Sequence, residues 1–305
     1  LQYTLKLGTV NQDLRLTSII KSIALPQLET LPHGTVLCGY PDDEGIVAGG
    51  GRAGAADGPS AIRNQLNILT PHAFSPVTPL LYDLGDASGD SRAVRHTMAQ
   101  QMVESALRSG HRCITMGGGH DYGFPDGAAF INTSSERPLV INIDAHLDVR
   151  DERHGITSGT PFFRLLEKTS AIDLVEIGLQ NHCNAREHVA YAIRKGVLML
   201  TYEEWLMSAV SLVEFTSARL VPLAKKKRRT YLSLDMDVMS SAVAPGCSSP
   251  QPQGFLPQDL IPLLNYFFTN LDVRLFGVYE TAPKLDFGQL TAKLAAHFIH
   301  RFMYV

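Results

Sequence analysis

Four cysteines are scattered through 305 residues, at positions 38, 113, 183 and 247, and no two share a CxxC spacing. That rules against a zinc knuckle, a dithiol redox motif and a disulfide scaffold, and leaves free thiols as the reading. Charge is spare as well. A net charge of −3 and a pI near 6.4 provide no basic field for nucleic acid or for an acidic membrane surface. No long uncharged apolar run occurs, and the opening LQYTLKLGTV lacks the apolar stretch of a secretory signal. The expectation is a cytoplasmic protein with a small-molecule partner, no nucleic acid and no membrane. The glycine-rich GIVAGGGRAGAADGPSAIR, residues 45–63, is neither a dinucleotide fingerprint nor a Walker loop, since no GK[ST] follows.

Composition is that of a globule, with 45% hydrophobic and 19% charged residues and no repeat, linker or low-complexity segment. One domain over 1–305 is expected, with about 1–33 as an N-terminal helical extension. Residues 14–29 read as a modestly amphipathic helix ending near Pro26, and strands follow at Thr35–Gly39 and 79–86. A helix over 94–110 and a strand at Cys113–Met116 come next, then a strand over 138–144 and a helix near Pro161–Glu167. Residues 201–229 read as one long helix whose basic end, KKKRR at 225–229, is a solvated terminus rather than a localisation signal. A strand at 231–237, a helix at 257–270, a strand at 273–280 and a closing helix complete the chain. Alternating strands and helices specify an α/β fold: a mostly parallel sheet between helical layers, with ligands at the carboxyl ends of the strands.

Three strand ends carry chemistry. In PLVINIDAHLDVRD, residues 138–151, an apolar β-branched run turns into Asp144, His146 and Asp148, spaced two apart and therefore on one face. A single triplet of this kind is equally well read as a helix cap beside a satisfied histidine. YLSLDMD repeats the pattern with Asp235 and Asp237, and GGGHD adds His120 just beyond a third strand. Two histidines and four aspartates exceed what one ion needs, and buried carboxylates require compensation. Two divalent ions nearly neutralise the set. An oxygen-rich donor set without thiolate favours a hard ion such as Mn²⁺, and a two-metal site activates water. The chemistry implied is hydrolysis.

GGGHD, DAHLD, SLDMDV followed by APG, GRAGAADGPSAIR and VYETAP together resemble the ureohydrolases, the arginase and agmatinase superfamily, from about residue 38 to the end. The resemblance implies the three-layer α/β/α arginase fold. It also implies two Mn²⁺ ions per chain, held by His120, Asp144, His146, Asp148, Asp235 and Asp237, with Asp144 and Asp235 bridging and Glu280 facing an amidine-like substrate cation. AVAPGCSSPQPQG, DAHLDVR and TSGTPFFR are similar to the formimidoylglutamase branch. There, water splits N-formimidoyl-L-glutamate into L-glutamate and formamide during histidine degradation. On that reading a metal-bridging hydroxide attacks the formimino carbon, and Asp148 passes a proton to the leaving nitrogen.

A dianionic substrate calls for extra cations. Arg150, two residues past a ligand, and Arg186, with Asn184 beside it, are the candidates; the alternatives are that Arg150 pairs with Asp151 or Glu152 and that Arg186 is a solvated helix residue. Ser158-Gly159 stand where arginases and agmatinases have HG, which leaves the proton shuttle unassigned, with His154 as a candidate. Cys38 and Cys247 both follow strands at the presumed active edge and are expected close enough to form a redox pair. The family's habit implies a homo-oligomer. The rival readings are another ureohydrolase acting on a guanidino or amidino acid, and a metal-deficient arginase-fold binding protein.

Overall fold

The computed structural model describes residues 14–223 and 227–305. Among these residues nine strands form one sheet: β1 (Ile20–Ser22), β2 (Thr35–Gly39), β3 (Leu81–Asp86), β4 (Arg112–Met116), β5 (Leu139–Ile143), β6 (Asp173–Leu179), β7 (Leu198–Thr201), β8 (Arg229–Asp235) and β9 (Asp272–Tyr279). Their spatial order is β1-β3-β2-β4-β9-β8-β5-β6-β7, with every pairing parallel.

Parallel strands buried on both faces need apolar residues on both, and β5 shows how the sequence supplies them. Leu139, Ile141 and Ile143 face one core, into which α2 (Gly58–Ile68), α8 (Leu212–Leu220), α9 (Pro257–Asn270) and α10 (Leu290–Met303) pack. Val140 faces the second core, beneath α3 (Arg92–Arg108), α4 (Gly123–Asn132) and α5 (Pro161–Lys168). Each fully buried Ile or Leu contributes about 1.5–3 kcal/mol. The result is the expected three-layer α/β/α arrangement. Two short helices, α1 (Glu44–Ala48) and α6 (Arg186–Arg194), flank loops at the carboxyl edge.

The structure corrects several expected elements. Residues 14–29 form no continuous helix. They make 3-10 turns at Leu16–Ser18 and Leu25–Glu29 on either side of β1, which adds to the free edge of β3; the Ile23 N–H continues that pairing to the Asp83 carbonyl at 3.0 Å. An open strand edge satisfies this isoleucine-rich backbone, and its β-branched residues favour that solution. Residues 1–13 of the expected helical extension lie outside the described residues.

The expected helix over 201–229 is two helices, α7 (Tyr202–Ser208) and α8. Ala209 breaks it in a left-handed conformation, φ 55°, and Ser211 then starts α8 with a capping box. The Ser211 hydroxyl accepts from the Glu214 N–H at 3.2 Å, and Glu214 accepts from the Ser211 N–H at 3.0 Å. The basic run is not a helix terminus either. α8 ends at Leu220, Lys225 and Lys226 lie outside the described residues, Arg228 pairs with Asp173, and Arg229 opens β8. Ser211→Ala should therefore cost about 1 kcal/mol of unfolding free energy, measured by urea denaturation, while leaving catalysis untouched.

Candidate metal centre

The sheet order places β4, β9, β8 and β5 side by side, so residues far apart in sequence leave the sheet at one place. His120 follows β4, Glu280 follows β9, Asp235 ends β8 with Asp237 in the 3-10 turn Met236–Val238 just beyond it, and Asp144, His146 and Asp148 follow β5. Beyond β4 the chain passes so close to the loop after β2 that a side chain at Gly118 would collide with the Asp42 carbonyl oxygen. A 3-10 turn at His120–Tyr122 then sets the imidazole inward. Asp148 and Glu280 adopt left-handed backbone conformations, φ 49° and 64°. Such conformations cost about 1–3 kcal/mol each and persist where the surroundings impose them.

Two ligand groups result. His120, Asp144, Asp148 and Asp235 form one, and Asp144, His146 and Asp237 the other; within each, the ligating atoms lie within 4.8 Å of one another. His120 Nδ1 stands 3.1 Å from Asp144 Oδ2, 3.0 Å from Asp148 Oδ2 and 3.2 Å from Asp235 Oδ2. His146 Nδ1 is 3.4 Å from Asp144 Oδ1 and 3.1 Å from Asp237 Oδ2. Adjacent ligands about 2.1 Å from a shared ion sit about 3 Å apart, so the spacing fits divalent coordination. Asp144 contributes one oxygen to each group. Asp235 enters the first with Oδ2, while its Oδ1 accepts the Asp237 N–H at 2.8 Å, much as Asp144 Oδ1 accepts the His146 N–H at 2.7 Å; Asp144 is the carboxylate that both groups contain.

The donors are set for a cation. His120 Nε2 faces the Ser233 hydroxyl at 2.8 Å, and Nδ1, buried among three carboxylates, makes no hydrogen bond. Asp237 Oδ1 is likewise buried without a partner. Burial, then the charge of Asp237, pushes Asp235 well above the usual carboxylate range; burial also raises Asp237 to about 6 and, together with Asp235, raises Glu280. Burial alone would lower His120, but Asp144, Asp148 and Asp235 outweigh it and raise its pKa. A pair of divalent cations would supply the positive charge that these buried carboxylates lack.

Buried groups hold the ligands in place. The His120 ring stacks on Tyr279, with centroids 4.7 Å apart, and meets the edge of Phe162 at 5.6 Å. Tyr279 in turn donates to the fully buried Asp126, which also accepts from the Tyr40 hydroxyl at 2.6 Å and the Thr115 hydroxyl at 2.5 Å. Asp42 ties the His120 turn to α3, accepting from Tyr122 at 2.9 Å and Arg95 at 2.8 Å. Glu280 accepts the His120 N–H at 3.0 Å. Asn184 does not take the substrate-facing place expected of it. Its oxygen accepts the Leu147 N–H at 2.8 Å and its amide donates to the Ala145 and Gln180 carbonyls, both at 2.9 Å, so it clamps the loop that carries His146.

A cavity of about 310 Å³ opens onto this centre, lined by His146, Asp148, Asp235, Asp237 and Glu280 together with Arg150 and Arg52. Arg150 is backed by Gly159, whose carbonyl accepts its N–H at 2.8 Å. The acids that might have neutralised it are engaged elsewhere, Asp151 with Arg153 at 2.7 Å and Glu152 with Arg164 at 2.8 Å. Arg52 escaped the sequence reading because it sits in a glycine-rich loop with no strand beside it. It donates to the Ser248 and Cys247 carbonyls at 3.0 and 2.9 Å and joins two walls of the cavity. Arg186 is exposed at the start of α6 and does not line the cavity; nor does His154, which lies in an adjoining cavity of about 620 Å³. Ser158 does line the site.

The expected Cys38–Cys247 pair is not formed. Cys38 lies in one core with its sulfur 3.9 Å from that of Cys113, whereas Cys247 lies in the core on the opposite face of the sheet.

The arginase family model matches residues 33–304. The chain belongs to the arginase family. This arginase-family chain is 33% identical over 287 residues to the formimidoylglutamase of Aeromonas salmonicida, covering 91% of this chain and 89% of the relative. It is 31% identical over 280 residues to that of Corynebacterium efficiens, covering 90% and 86%. Among solved structures, Trypanosoma cruzi formiminoglutamase with Mn²⁺ superposes with a TM-score of 0.81 at 27% identity, over 92% of this chain and 97% of the other. Formimidoylglutamase from Bacillus subtilis superposes with a TM-score of 0.86 at 25% identity, over 99% and 95%. The sheet and helical layers are thus those of the arginase fold, and the chain is a hydrolase of this family acting on a small molecule. Among the described residues, no helix is long and apolar enough to cross a membrane.

The elevated Asp237 yields a pH prediction. Its folded value of about 6 lies above the unfolded value of about 4, so the metal-free fold loses stability as pH rises through that window. The melting temperature of metal-free protein should fall from pH 4 to 6 relative to Asp237→Asn. The gain on adding Mn²⁺ should grow over the same interval, as followed by differential scanning fluorimetry.

Proposed function

We propose that this chain holds two Mn²⁺ ions and hydrolyses N-formimidoyl-L-glutamate to L-glutamate and formamide. One observation carries the reading: two ligand groups sharing Asp144 open onto a cavity that also holds two arginines, Arg150 and Arg52, which no carboxylate among the described residues neutralises. Arginine carries one carboxylate and agmatine none, whereas formimidoylglutamate carries two. A guanidinium binds a carboxylate through two parallel N–H bonds, so two arginines match a dianion. The formimidoylglutamase names of the relatives support the same substrate.

His120, Asp144, Asp148 and Asp235 would hold one ion, and Asp144, His146 and Asp237 the other. Bound there, two divalent cations act as Lewis acids and make a water nucleophilic at neutral pH. The protein's own residues do the rest. Glu280, with Oε1 fixed by the His120 N–H, presents its carboxylate to the formimino group and stabilises that group's positive charge. Arg150 and Arg52 hold the two carboxylates and thereby orient the formimino carbon over the ligand groups. Asp148, which lines the cavity and keeps 10% of its side chain exposed, carries a proton to the departing nitrogen. Ser158 offers no imidazole for this transfer, which leaves it to Asp148.

Formimidoylglutamate, arginine and agmatine, assayed side by side with formamide and urea as readouts, test the reading: formamide from the first alone is expected, and urea from either of the others would replace the proposed substrate. Asp148→Asn should abolish turnover; near-normal activity would remove Asp148 from proton transfer. Arg150→Ala should raise KM roughly tenfold to a hundredfold, the loss expected for a charge-assisted pair, with a small change in kcat. An unchanged KM would show that Arg150 anchors nothing.

A further inference from the structure

Directly beneath the metal ligands, the sheet carries a polar row where a buried parallel sheet is ordinarily apolar. Ser233 of β8, Asn142 of β5 and Glu176 of β6 stand in register, and all three are fully buried. Ser233 is accounted for by His120. The other two pose a problem of hydrogen-bond bookkeeping. The Asn142 amide nitrogen donates to Glu176 Oε2 at 2.9 Å and reaches Asp144 Oδ2 at 3.3 Å. That uses both of its N–H groups. Asn142 Oδ1 and Glu176 Oε1 remain, each buried and each without a partner. Buried polar atoms are nearly always paired, so two orphans on neighbouring side chains require a common explanation.

As an ionised carboxylate Glu176 can only accept, and Asn142 Oδ1 can only accept, so neither can serve the other. No ion pair to Glu176 occurs among the described residues, and its nearest charges are the aspartates above it. A single proton on Oε1 resolves every part of this. It turns Glu176 into a donor to Asn142 Oδ1 and closes a ring of two hydrogen bonds, acid to amide and amide to acid. We propose that Glu176 is a neutral carboxylic acid locked to Asn142 in this ring, and that the pair is a positioning device which aims the second Asn142 N–H at Asp144, the carboxylate common to both ligand groups. Complete burial of the side chain favours the protonated form. A neutral acid has a further merit at this place: it orders Asp144 without adding another negative charge to a centre that already buries five carboxylates.

The inference rests on the metal reading only through Asp144 and is independent of the substrate. Glu176→Gln replaces the acid by an amide that can make the same two hydrogen bonds, whereas Glu176→Leu makes neither. Manganese affinity, measured by titration calorimetry on the whole protein, should stay within about twofold of the parent in Glu176→Gln and weaken roughly tenfold to a hundredfold in Glu176→Leu. The infrared difference spectrum between metal-free parent and Glu176→Gln at neutral pH should contain the carbonyl band of a protonated carboxylic acid, a signature no merely structural role would produce. Carboxylate bands in its place would overturn the proposal. So would a Glu176→Gln protein as weak for Mn²⁺ as Glu176→Leu, or a Glu176→Leu protein that binds Mn²⁺ as the parent does. Should Glu176→Leu fail to fold, the isosteric Glu176→Gln and its spectrum decide the matter alone, and failure of formimidoylglutamate as substrate would leave both readouts unaffected.

Discussion

Five carboxylates, Asp144, Asp148, Asp235, Asp237 and Glu280, are packed with two imidazoles at the largely buried floor of the cavity, where water reaches them poorly. Bringing so much charge of one sign out of water is unfavourable by several kcal/mol per ion unless positive charge arrives with it. Two divalent cations at the two ligand groups would supply that charge. The candidate ligands come from strand ends and from the clamped loops and turns just beyond them, the backbone accepts left-handed turns at Asp148 and Glu280, and tight glycine contacts let the His120 turn approach.

Around that receptor lies a shell in which side chains satisfy one another in pairs and triples. Tyr279 bridges His120 and Asp126, Asp42 joins Tyr122 to Arg95, and Asn184 spends all its capacity on backbone groups beside His146. None of these residues lines the cavity. They fix the ligands to within the tolerance that coordination demands, and in a low-dielectric interior such fully satisfied networks are stiff. The two arginines follow the opposite logic. Among the described residues no acid pairs with Arg150 or Arg52, so their charge faces the cavity uncompensated.

What could be read in the chain and what could not divides along the same line. The six candidate metal ligands were legible because metal-type residues follow apolar strand runs and a parallel sheet gathers strand ends at one edge. The strand alternation expected of them is absent, since Asp144, His146 and Asp148 lie beyond β5 and Asp237 in a 3-10 turn after β8. Arg150 was legible as a neighbour of a ligand. Arg52 was not, since only the folded loop brings it to the cavity, and Asn184 was misassigned because a polar residue at a strand end looks alike whether it faces substrate or backbone. Helix α4 was hidden by the glycines and proline of GFPDGAAF, and the break before α8 lay in a local S-x-x-E signature that the apolar periodicity on either side obscured. The Tyr40, Tyr231, Tyr279 and Asp126 cluster depends on long-range register alone and leaves no pattern in the sequence.

The strand order also has a meaning for how the molecule is made. β4 and β5 follow one another in the chain, yet β9 and β8 are inserted between them, and these are the last two strands to be synthesised. Until they emerge, the partners of β4 and β5 are missing from the middle of the sheet, and only four of the six candidate ligands, His120, Asp144, His146 and Asp148, have been made. The binding centre therefore stays incomplete until β8 and β9 have been made. Translation beyond Glu280 both closes the sheet and completes the ligand set, so a prematurely terminated chain exposes adhesive edges where the finished one has its most rigid region.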